Sequence, residues 1–168
     1  MNERRIDVYI DGSHLNKQNP KDSRLGCGGV MVDRTGPGMG TVIDSFSLQL
    51  LPIYMKMSFG ADSPSNPSAE LVAVLQALIH FKPHLKAYSK IVFHADYIGV
   101  REWMMGKWKV KEPYIIRIKD AILQEISRQG LRDKVEFEWV RGHQSSTTPD
   151  AFWNSEADKL ARGDKNKV

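Results

Sequence analysis

Cysteine occurs once in this 168-residue chain, at position 27. A single thiol excludes an intramolecular disulfide and any cysteine-built zinc site, so an apolar core must hold the fold, and a lone thiol among glycines reads as structural. Long apolar runs are also missing. Nothing approaches the roughly 20 consecutive apolar residues of a membrane-spanning helix, and the charged opening MNERRIDVYI lacks the apolar stretch of a secretion signal. A soluble, cytoplasmic protein is expected, with no membrane partner. There is no large excess of either charge, with 24 Lys and Arg against 20 Asp and Glu, and a net charge of +4 is too small by itself to point to nucleic acid. Internal repeats, low-complexity tracts and linkers are lacking too. A domain of this length buries roughly 70% of the surface that its unfolded chain exposes, so residues 1–168 are expected to form one domain and to work as a monomer.

What is present is more specific. The excess positive charge is local: between positions 97 and 119 six basic residues (Arg101, Lys107, Lys109, Lys111, Arg117, Lys119) face only Glu102 and Glu112. Residues 5–11 alternate, with Ile6, Val8 and Ile10 opposite Asp7, Tyr9 and Asp11, the pattern of a half-buried strand. Strand patterns follow at 28–33 and 42–50 across the turn-rich TGPGMG, and together the three read as an antiparallel meander. A helix start follows, with Asn66 as N-cap and Pro67 at the first helical position, and Leu71, Val74, Leu75 and Leu78 form the apolar stripe. Residues 90–96 form a strand and Pro113 opens a helix. Residues 134–140 alternate again, with Val135, Phe137 and Trp139 inward, and a last helix runs over about 150–162. The order βββαβααβα predicts an α/β protein with a mixed five-stranded sheet, three antiparallel strands followed by alternating strands and helices, flanked by helices. The histidines at 14, 80, 84 and 94 show no metal-ligand spacing, and Met55, Met57, Met104 and Met105 are expected in packing.

Four carboxylates occupy special positions: Asp11 at the end of the first strand, Glu70 in the first turn of a helix, Asp96 at the end of the fourth strand and Asp158 within the last helix. Each alone has an ordinary reading as turn, cap, dipole partner or solvated face. Together they point further, because ligands bind beyond the carboxyl ends of strands in open α/β sheets. Adjacent carboxylates repel unless a cation lies between them. Oxygen donors without His or Cys select Mg²⁺, with Mn²⁺ as substitute, and two such ions about 4 Å apart suit displacement at phosphorus.

The pieces YIDGS (9–13), GCGGVMV (26–32), NPSAELVAVLQAL (66–78), HAD (94–96), EWVRGH (138–143) and N-x-x-x-D-x-L-A (154–161) resemble, in order and across nearly the whole chain, the type I ribonuclease H family. The resemblance implies a ribonuclease H-like fold and Mg²⁺-dependent endonucleolytic cleavage of the RNA strand of RNA·DNA hybrids, leaving 5′-phosphate and 3′-hydroxyl ends. It implies metal binding by Asp11, Glu70, Asp96 and Asp158, and a loop role for His143 in proton transfer or product release. Gly12, Ser13 and Asn66 match positions that contact the nucleic acid, although Gly12 also suits a turn and Asn66 a helix cap. Three departures stand out. Tyr97 follows the third acid where many members carry Ser, the basic segment before Trp108 is short, and the loop after His143 is long. Lys107, Trp108, Lys109 and Lys111 read either as a small phosphate-binding patch or as a solvated helix end around a core tryptophan. Two other readings remain at this stage, a nuclease of the same fold acting on structured RNA or branched DNA, and a catalytically silent nucleic-acid-binding module.

Overall fold

The computed structural model describes residues 3–16, 18–19, 21–60, 65–142 and 147–163. Three antiparallel strands, β1 (Arg5–Leu15), β2 (Arg24–Asp33) and β3 (Thr41–Leu50), lead into three helices, α1 (Pro52–Phe59), α2 (Asn66–His80) and the single turn α3 (Lys82–Leu85). Then follow β4 (Lys90–Ala95), α4 (Ile98–Met104), α5 (Pro113–Arg128), β5 (Val135–Trp139) and α6 (Pro149–Ala161). The sheet order is β3-β2-β1-β4-β5, with β1 antiparallel to β2 and parallel to β4, and β4 parallel to β5. Among the described residues no helix is long and apolar enough to cross a membrane.

β1 lies at the centre of the sheet, and helices cover both of its faces. Ile6, Val8 and Ile10 join the larger core beneath α2 and α5, and Tyr9 joins a smaller one with Val30, Val32, Trp153, Ala157 and Leu160 beneath α6. The strand is therefore buried on both sides rather than half-buried, and Asp7 and Asp11 are enclosed despite their charge. A polar network meets the demand that a buried charge be paired. Asp7 Oδ1 lies 2.7 Å from His94 Nε2 and accepts from Arg5 at 2.8 Å, while the Tyr9 hydroxyl donates to Asp150 at 2.6 Å. Burial would raise the Asp7 carboxyl, but the hydrogen bonds from His94 and Arg5 outweigh it and hold it below the ordinary range. Arg34 Nη1 reaches both the Tyr9 oxygen and Asp150, so β1, β2 and the first turn of α6 are tied at one point.

Several expectations need correction. Ser65, not Asn66, caps α2: its hydroxyl accepts from Ser68 N–H while Ser68 Oγ accepts from Ser65 N–H, a reciprocal capping box. α1 escaped the periodicity reading because PIYMKMSF carries apolar residues around the whole helix, although Pro52 at its start and Gly60 at φ 75° after its end are ordinary start and stop signals. On this surface helix Met55 is buried but Met57 is 81% exposed, and Met105, just past α4, is 53% exposed, so these two do not pack. Trp139, two residues beyond Phe137 at the end of β5, is not buried with it. It is 40% exposed, and its indole N–H donates to the Asp96 carbonyl at 3.1 Å.

Candidate active site

Strand parity brings the first pair of acids together. β1 and β4 run parallel with Tyr9 opposite His94, and their rings stack at 4.4 Å on the α6 side of the sheet. Two residues further along each strand, on the same face, come Asp11 and Asp96. Glu70 arrives from the other side of the sheet, and Gly12 is what allows it. A Cβ at position 12 would collide with the Ala69 carbonyl and the Glu70 amide, so only glycine lets the first turn of α2 rest directly on β1. The Gly12 N–H then donates to Glu70 Oε1 at 3.1 Å. α6 carries the fourth acid. Gly28 lets that helix lie close to β2, since a Cβ there would stand 2.5 Å from the Ala157 carbonyl oxygen.

One oxygen each from Asp11, Glu70 and Asp96 lie within 4.8 Å of one another. Asp158 lines the same cleft, of about 480 Å³, and is held by Arg162 at 2.8 Å. Asp11 and Glu70 are 4% and 5% exposed, and Glu70 Oε2 is buried with no hydrogen-bond partner among the described residues. Burial, reinforced by the Glu70 charge, raises the Asp11 carboxyl well above the usual range. Burial likewise pushes Glu70 up to about 8, with the Asp96 charge adding to it. Metal-free, the pair holds protons that ordinary carboxylates have shed. Among the described residues the donor set is all oxygen, with no imidazole or thiolate, which fits a hard divalent cation and not zinc. Cys27, the nearest thiol in sequence, is buried in the core and its pKa is raised by that burial, so it stays a thiol.

Ser13 and Asn66 also line this cleft, and Asn66 Oδ1 accepts from the His14 N–H at 3.2 Å, joining the end of β1 to the start of α2. Lys107, Trp108 and Lys109 line a different cavity, with Val110, Ile116 and Lys119, and Lys111 is exposed. Trp108 is 42% exposed and thus is not a core tryptophan. His143 lies outside the described residues. Sequence reasoning passed over two residues at this site. Trp139 steadies the Asp96 backbone, and Tyr97 lines the cleft. The signals for Tyr97 were its position directly after an acid and its departure from the Ser that many family members carry there.

An α/β sheet with acidic oxygens gathered at the carboxyl ends of two adjacent parallel strands forms a carboxylate cluster that could hold a metal ion. The RNase H family model matches residues 3–165, and the chain belongs to the ribonuclease H family of hydrolases. It is 26% identical over 168 residues to a ribonuclease H of Anaplasma marginale, covering 98% of this chain and 92% of that protein. A Pseudomonas putida ribonuclease H is 33% identical over 120 residues, covering 65% and 72%. Among solved structures, LC11-RNase H1 in complex with RNA/DNA hybrid superposes with TM-score 0.68 at 20% identity, covering 92% of each chain. The RNase H1 of the halophilic archaeon Halobacterium salinarum superposes with TM-score 0.63 at 18% identity, covering 92% of this chain and 98% of that one.

Proposed function

We propose that this protein hydrolyses the RNA strand of RNA·DNA hybrids endonucleolytically, leaving 5′-phosphate and 3′-hydroxyl ends. The observation that carries the reading is the convergence of Asp11, Glu70 and Asp96 around a buried, unpartnered Glu70 oxygen, a donor set that wants a cation. Two Mg²⁺ ions, with Mn²⁺ as substitute, would be held by these three and Asp158. When bound, such ions supply an activated water and charge stabilisation at the leaving oxygen. The chain's own part is to hold the carboxylates still. Gly12 fixes Glu70, Trp139 fixes the Asp96 backbone and Arg162 fixes Asp158. His143 is assigned the relay of a proton, a task that suits an imidazole titrating near neutrality.

Substrate choice has a physical basis in the wide minor groove of A-like hybrids, where 2′-hydroxyls are accessible. Gly12, Ser13 and Asn66 at the cleft are assigned to the backbone or ribose of the nucleic acid, and Lys107, Trp108, Lys109 and Lys111 to a small phosphate-binding patch. We assign the protein to the cytoplasm as a single-domain monomer, a setting compatible with its one buried free thiol. A divalent-metal titration on an end-labelled hybrid, run beside matched duplex DNA and duplex RNA, tests the function. Metal-dependent cleavage confined to the RNA strand of the hybrid is the expected result. Equal cleavage of duplex RNA or of DNA indicates another nuclease, and binding without cleavage indicates a silent module.

A further inference from the structure

Tyr97 is the only aromatic residue among the described residues lining the acidic cleft. It follows Asp96 directly, in an extended conformation at the start of α4 (φ −91°, ψ 116°). Its ring is fixed. It folds over Gly99, where a Cβ would collide with the ring edge and stand 2.7 Å from the hydroxyl oxygen, so any larger residue at 99 would drive the ring out. On its other side it meets Trp103 edge-on at 5.6 Å, and Trp103 meets Trp108 edge-on at 6.3 Å. A ladder of three aromatic rings therefore connects the acidic cleft to the basic Lys107–Lys111 segment. The Tyr97 hydroxyl makes no hydrogen bond among the described residues.

A rigid apolar face with an unused neutral hydroxyl, set among carboxylates, suits one part of a nucleotide. A phenol can donate to a phosphate oxygen, but a phosphodiester has no proton to give in return, so the acceptor side of the hydroxyl would go unused. A ribose offers a C–H face for the ring and a hydroxyl that both donates and accepts, as the phenol does. We infer that Tyr97 is a specificity-determining residue that packs against a ribose of the cleaved strand and exchanges a hydrogen bond with its 2′-hydroxyl. Gly99 is the positioning residue that gives the ring its room. The inference rests on the hybrid-cleaving function proposed above.

The test measures kcat and KM with Mg²⁺ for the wild type, Tyr97→Phe, Tyr97→Leu and Gly99→Ala. The substrates are an all-ribo hybrid and a set carrying one 2′-deoxynucleotide at successive positions around the cut. Tyr97→Phe keeps the ring and loses the hydroxyl, so it should fold normally, as melting curves will show, and lose about three- to tenfold in kcat/KM on the all-ribo hybrid. That loss should vanish on the one hybrid whose 2′-hydroxyl is missing at the contacted position. Tyr97→Leu should fall further, and Gly99→Ala should follow it despite leaving Tyr97 unchanged. Wild-type kinetics of Tyr97→Phe on every hybrid overturns the inference. So does a loss that persists across all 2′-deoxy substrates and disappears with a single methylphosphonate, which would mean a phosphate contact. A wild type that leaves the hybrid intact brings down the functional reading itself, a result distinct from both.

Discussion

At the scale of single residues, the cleft concentrates opposing demands on Asp11. Its place at the end of a central strand buries it, and its neighbours Glu70 and Asp96 add negative charge, so the carboxylate we propose as a cation ligand is costly without one. Asp11→Asn removes the charge and keeps the shape. Cleavage should fall at least a hundredfold, a loss of roughly 2.7 kcal/mol of transition-state stabilisation. In EDTA at pH 8 the same variant should melt higher than the wild type, by on the order of 5 °C, the shift that about 1.5–2 kcal/mol produces in a chain of this size. Differential scanning fluorimetry beside a hybrid-cleavage assay checks both. A variant that loses activity and also melts lower would mean that the carboxylate stabilises the apo fold, contrary to its surroundings.

At the scale of elements, two close approaches and one loop decide where the chemistry sits. α2 rests on β1 through Gly12, and α6 rests on β2 through Gly28, where an added methyl would press on the Ala157 carbonyl, the Ala161 amide and the Leu160 side chain. Gly28→Ala should destabilise the protein by about 1–3 kcal/mol, the usual cost of overpacking, read as a lower urea midpoint. Because α6 carries Asp158, the variant should also lose activity, and raising Mg²⁺ should restore part of it. The connection from α4 to α5 carries Lys107, Lys109 and Lys111, all exposed. If each meets a phosphate, the triple alanine variant should flatten the slope of log K against log salt by about 0.9 per lysine. Hybrid binding in Ca²⁺ at several salt concentrations measures this, and an unchanged slope would return the segment to solvent.

For the whole molecule, stability and metal affinity are coupled through the raised carboxyls. Between an ordinary carboxyl value near 4 and the value of about 8 for Glu70, the folded state holds a proton that the unfolded chain has released. Folding is therefore favoured at the acid end of this window, and metal-free stability falls as pH rises through it, then levels off. If Mg²⁺ takes the proton's place as proposed, its stabilising effect should grow from pH 5.5 to pH 8.5. Urea midpoints at the two pH values, with EDTA and with Mg²⁺, will show whether the apo slope is negative and whether the metal removes it. The sequence by itself determined the meander, the main helices, the four acids and the family, because alternation, helical spacing and ordered motifs such as YIDGS and EWVRGH are local signals. It did not reveal that β1 is covered on both faces, since alternation reads one strand at a time and the second layer, α6, comes from a segment more than a hundred residues away. Nor did it show that Ser65 and not Asn66 caps α2, that the indole of Trp139 holds the Asp96 carbonyl, or that Tyr97 stands in the cleft over Gly99. Those outcomes depend on which atoms meet across the sheet, and only the tertiary structure decides that, because a side chain's role is set by the space and partners that distant segments leave it.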